Sequence, residues 1–191
     1  MTESLWALKE WAIAVQALGA GDLILLVRKG GIHESRRSFN MPCDRALLFP
    51  TYEHQQASAL RSPFQSAMTP QAVPALGDGM SLQYWAEITH QLPLAEQGIV
   101  EALQPFHIWT DDWLVERLAW KPERPTYALL LQVHRLVTPV DVPIKLATRA
   151  VVRGLSCRMK ALNSLTVSRS YLTRNIIIRW LRFKRRSRPD R

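Results

Sequence analysis

Near the N-terminus, Leu5, Leu8, Trp11, Ala12, Val15 and Leu18 recur at three- and four-residue spacing. That pattern predicts a helix over 4–19, closed by Gly19 and Gly21. Residues 23–28 form a short apolar run, read as a buried strand. It ends in Lys29, Gly30 and Gly31, a turn in which two glycines allow positive φ. Ala46 to Phe49 is a second strand, stopped by Pro50, after which Thr51 is expected to cap a short helix over 52–61. Residues 62–80 are rich in Pro, Gly, Ser and Met and read as a long loop. Leu82, Tyr84, Ala86 and Ile88 then alternate with Gln83, Trp85, Glu87 and Thr89, the clearest period-two strand in the chain. A helix is expected over 94–104. Another follows Thr110, with Asp111 and Asp112 favouring its dipole and Lys121-Pro122 ending it. Residues 127–136 are the longest strand candidate, and 128–131 read as buried on both faces. The expected fold is α+β: a single domain with a mixed or antiparallel sheet of about five short strands and flanking helices. The short strands and Gly-rich turns suggest an open barrel like the PUA and ASCH folds, a fold-level analogy.

Charge changes the picture of the chain's organisation. The net charge is +9, but residues 1–147 hold 12 Lys+Arg against 15 Asp+Glu, whereas residues 148–191 hold 13 against one. The basic character belongs to the C-terminal part. This divides the chain into a domain over 1–146 and a basic, discordant, weakly ordered tail over 147–191. No apolar run is long enough to span a bilayer, and no basic head with an apolar run marks a signal peptide. Cys43 and Cys157 lie far apart with no paired-Cys motif, so free thiols in a reducing, cytoplasmic setting are expected.

Five stretches carry a family resemblance: L-K-E-W-A-I-A-V at 8–15, L-L-V-R-K-G-G-I at 25–32, A-L-L-F-P-T-Y-E-H-Q at 46–55, W-T-D-D-W-L-V-E-R-L-A-W-K-P at 109–122 and Y-A-L-L-L-Q-V-H-R-L at 127–136. Over roughly residues 5–145 the chain resembles the bacterial family known as domain of unknown function 1802. The resemblance implies no reaction. It does imply a segment like Y-G-G-C-K-S-W-V-E-L after the last strand, then one like P-V-L-S-D, and neither is present. Read in a shifted frame, permitted codons for Arg149 to Met159 can spell G-G-C-P-W-V-E-L-S-D. Those for Arg169 to Lys184 can spell V-L-S-D-P-E-Y-H-H-S-L-A-A-L-Q in the same frame. The expectation is that the tail is a frameshift product.

Chemistry is sparse. Arg28, Lys29, Gly30 and Gly31 could present cations and backbone N–H groups to phosphate; the plainer reading is a solvated turn. Tyr52, Glu53, His54 and Gln55 could line a ligand pocket or supply acid–base groups; the plainer reading is a helix cap. Trp109, Trp113 and Trp120 with Lys121 could stack on bases, yet at helical spacing they read as core. Glu34, Glu53 and Glu87, with Lys29, could assemble a metal-dependent nuclease site. No metal-ligand spacing, nucleophile motif or cofactor motif is present, so no cofactor is expected. The leading expectation is a non-catalytic binding module for nucleotide or nucleic acid, with Arg28 and Lys29 on phosphate and Tyr52, His54 and Gln55 in the pocket. The alternatives are a metal-dependent hydrolase or nuclease using Glu34, Glu53 and His54, and a protein-interaction domain.

Overall fold

The computed structural model describes residues 4–29, 43–68, 79–94, 103–143, 151–156 and 164–166. The strands are β1 (Ser4–Trp11), β2 (Leu25–Lys29), β3 (Arg45–Thr51), β4 (Gly79–Pro93), β5 (Thr126–Pro143), β6 (Val151–Ser156) and β7 (Ser164–Thr166). The helices are α1 (Ala12–Ala20), α2 (Ser62–Ala67) and α3 (Asp111–Ala119). The strands make one sheet in the order β2-β5-β4-β3-β1-β6, with β7 on β5 beyond β2. β1 and β3 run parallel, and the other pairings are antiparallel. This is the expected α+β class with a mixed sheet, although seven strands among the described residues enter it rather than about five.

The first half of the expected N-terminal helix is instead a strand. Ala7 and Leu8 are adjacent and both fully buried, but in different apolar clusters: Ala7 with Leu47 and Phe49, Leu8 with the larger group that holds α1, β2 and β5. A strand covered on both faces loses its period-two signature, and the helical spacing of Leu5, Leu8 and Trp11 is coincidental. β3 shows the same two-sided burial, Ala46 and Leu48 on one cluster and Leu47 and Phe49 on the other. Pro50 does not stop β3, which runs on to Thr51. The helix expected over 52–61 is replaced by a turn at 53–54 and a short 3-10 segment (Ala57–Ala59), with Arg61 as the N-cap of α2. Thr51 receives the Glu53 N–H within that turn, at 3.3 Å. α2 also occupies part of the loop expected over 62–80. The expected helix over 94–104 lies mostly outside the described residues.

Elsewhere the local reasoning holds. Gly21, with φ 78°, closes α1 and donates to Ala17 and Leu18. Gly19 lies inside α1, and a Cβ there would fall 2.4 Å from the Tyr84 ring, so the glycine lets α1 settle on β4. Thr110 caps α3 by accepting the Trp113 N–H, with Asp111 and Asp112 in the first turn. Residues 128–131 of β5 are all fully buried. On β4, Met80 and Leu82 join the smaller cluster while Ala86 and Ile88 join the larger; the change falls at the register irregularity between Leu82 and Tyr84.

His134 on β5 stacks on Trp85 of β4, ring centres 4.1 Å apart and planes 8° from parallel. Burial, and secondarily Arg45, push its protonation below the ordinary value of 6.5, with Glu87 acting in the opposite sense. The unfolded chain then binds the proton more readily than the folded one. Stability is therefore expected to decline as pH falls below about 6.5. Urea unfolding at a series of pH values should show His134→Phe to be less pH-sensitive than the parent; identical profiles would count against this role.

Candidate functional site: a tryptophan and arginine cleft

Because β1 and β3 are parallel neighbours, their C-terminal ends reach the same edge of the sheet: Lys9, Glu10 and Trp11 pair with Phe49, Pro50 and Thr51. The turn after β3 carries Glu53 and His54 over that edge. β2 ends beside it with Arg28, and α3 closes the far side. These elements enclose a cleft of about 400 Å³ lined by Lys9, Glu10, Trp11, Arg28, Trp113 and Arg117 among others.

Indoles form one wall. Trp109 and Trp113 stack with centres 5.3 Å apart and planes 14° from parallel, and Trp11 tilts against Trp113 at 6.0 Å. Trp113 and Arg117, four residues apart on α3, share one face of that helix, and Trp109 comes just before the helix cap Thr110, bridged to Leu60. The Arg117 guanidinium rests 5.9 Å from the centre of the Trp113 ring and 5.2 Å from that of Trp120.

Charge lines the other walls. Arg28 donates to the Lys9 carbonyl and pairs with Glu10 at 3.0 Å, the two side chains 18% and 12% exposed. Glu10 uses its other oxygen to accept the Trp11 N–H at 3.0 Å, at the start of α1. Lys9 pairs with Glu53 at 3.0 Å, and that hydrogen bond holds the Glu53 carboxyl below its usual range. His54 sits at the rim with φ 59°, a left-handed conformation uncommon outside glycine.

The expected site residues are distributed among several tasks. Arg28, Glu53 and His54 meet in the cleft. Lys29 turns away: its ammonium donates to the carbonyls of Arg117 (3.0 Å) and Leu118 (2.6 Å) near the C-terminal end of α3. Burial, then Arg117, lowers its pKa. Tyr52 packs against the smaller cluster rather than the cleft. Gln55 accepts the Ile13 N–H at 3.2 Å, capping α1 from a distant loop. Gly30, Gly31 and Glu34 lie outside the described residues. Trp109 is core, as expected, but also walls the cleft, whereas Trp120 is 49% exposed. The residues that sequence reasoning did not assign to the site are Lys9, Glu10, Trp11 and Arg117. The four-residue spacing of Trp113 and Arg117 on α3 was the available signal. Cys43 is a free thiol, pushed up to about 11 by burial and Asp44, which keeps it protonated and unreactive at neutral pH.

A family model, described as a domain of unknown function (DUF1802), matches residues 7–159. The chain belongs to that family. The matched region contains every described wall of the cleft and runs past the point where the charge balance changes. No curated protein matches the chain. Among solved structures, a mutant of an ASCH protein from Zymomonas mobilis is similar at 12% identity, covering 93% of this chain and 95% of that one, with a TM-score of 0.43. The described residues contain no helix long and apolar enough to cross a membrane.

Proposed function

We propose that this domain is a non-catalytic binding module for nucleotide or nucleic acid, and that the cleft between β1, β3 and α3 is its binding site. The carrying observation is the stacked pair Trp109 and Trp113 in the same cleft as Arg28. Indole faces accept any base by stacking, and guanidinium groups hold phosphate oxygens through paired N–H donors. A volume of about 400 Å³ falls within the range of small-ligand sites. Lys29, engaged with α3, orders the wall of the cleft in this reading rather than touching ligand.

The hydrolase reading has less support. Glu10 and Glu53 are each committed to a cation, and the described residues contain no group of three His, Cys, Asp or Glu side chains able to hold a metal.

Titration of the full chain with mononucleotides and short single-stranded RNA and DNA, followed by tryptophan fluorescence, tests the proposal. Trp113→Ala is expected to weaken binding roughly tenfold or more, the usual worth of base stacking. Arg28→Ala is expected to weaken phosphate-bearing probes more than nucleosides. Unchanged binding in both variants, with their folds intact by circular dichroism, would remove the cleft from consideration.

A further inference from the structure

The charges in the cleft do not balance locally. Glu53 answers Lys9, and Glu10 answers Arg28. Arg117 has no ion pair among the described residues, although it faces the same space. Its guanidinium is held by indole rings alone, Trp113 and Trp120. The Nε–H groups of Arg28 and Arg117 are both buried without an acceptor among the described residues. A buried donor with no acceptor is costly, and so are like charges brought together out of water. Burial, and then Arg28, push the Arg117 guanidinium below the ordinary arginine value, with Glu10 acting in the opposite sense.

We propose that Arg28 and Arg117 form one anion subsite that takes a phosphoryl group of a nucleotide or polynucleotide, an assignment that rests on the nucleotide reading above. Both guanidinium groups line the cleft, and its carboxylate Glu10 is ion-paired to Arg28 alone. A phosphoryl group supplies the missing negative charge and several acceptor oxygens. Lys29 has a supporting role, since its bonds to the Arg117 and Leu118 carbonyls fix the part of α3 from which Arg117 projects. Glu10 competes with the ligand for Arg28, so it sets how tightly an anion is held.

The test compares inorganic phosphate, adenosine, adenosine 5′-monophosphate and a short oligoadenylate by calorimetry on the full chain. The monophosphate is expected to bind roughly tenfold or more tighter than adenosine, as for a charge-assisted hydrogen-bonded pair. Arg117→Ala should erase that difference between the monophosphate and adenosine. Arg117→Lys, which keeps the charge without the fork, should retain part of it. Glu10→Gln, which removes the competing carboxylate, should tighten the phosphate-bearing probes. A preference for the oligomer over the monophosphate would assign the subsite to an internal phosphate, and the reverse to a terminal one. Equal binding of adenosine and its monophosphate, unaffected by Arg117→Ala, would overturn the subsite and spare the nucleotide reading. Phosphate binding that depends on Arg117, with no added affinity from the nucleoside, would keep the subsite and overturn the nucleotide reading. Silence from every probe would overturn both.

Discussion

Leu26→Ala is expected to lower the free energy of unfolding by about 3 kcal/mol, the usual cost of removing a buried leucine side chain and leaving a cavity. Leu26 is fully buried in β2, pairs with Leu129 of β5, and belongs to the large cluster shared with α1. Neither strand can readily move into the space, because Ile24, Leu25, Leu130 and Leu131 are equally buried around it. Val137→Ala is the comparison: Val137 is 64% exposed on β5, and its loss should change stability by about 0.5 kcal/mol or less. Urea denaturation of both variants measures the contrast. Similar midpoints would mean that the large cluster is not the part of the molecule that resists unfolding.

The second large effect is expected at the cleft. Glu10→Ala should cost about 2 kcal/mol, somewhat less than breaking a fully buried ion pair, because the cleft is partly open to water. The change removes the carboxylate that Arg28 pairs with, and also the acceptor for the Trp11 N–H where β1 passes into α1. Arg28 and Arg117 are then left with no acid between them. Glu10→Gln keeps an acceptor for the Trp11 N–H and should recover part of the loss. If phosphate fills the subsite, adding it should restore Glu10→Ala more than the parent. A Glu10→Ala protein as stable as the parent would show that the pair contributes little to the fold.

Local chemistry was legible in the sequence. Thr110 announced its cap, Gly21 its left-handed turn, and the unbroken apolar run at 128–131 a strand covered on both faces. The failures share a cause. β1 and the turn after β3 take their form from distant partners, and one-dimensional spacing does not register those partners. β1 is a strand because β3 and β6 border it. Gln55 caps α1 although 42 positions separate it from Ile13. The cleft was half visible for the same reason. Arg28, Glu53 and His54 stood out as hydrogen-bonding side chains, whereas Trp11 and Arg117 looked like ordinary members of amphipathic helices. Lys29 looked like a ligand residue because its carbonyl partners on α3 leave no mark in the side-chain pattern.

The division near residue 147 and the shifted reading frame after it stand as a proposal that the DNA sequence decides. An early stop in the alternative frame, or a translation unlike the family's closing segments, would end it. Two short pieces of that region, β6 and β7, take places in the sheet, on β1 and β5.

The parallel pairing of β1 also bears on how the chain is made. During synthesis β1 emerges before its partners: Leu8 pairs with Leu48 on one side and Val151 on the other. The strand waits for a neighbour about forty residues downstream and then for one about 140 residues downstream. Sheets closed by such distant partners assemble slowly. Until the last neighbour arrives, one border of β1 offers open backbone groups to any passing strand. The nascent protein is thus most vulnerable to mispairing on the ribosome, and slower translation lengthens that interval.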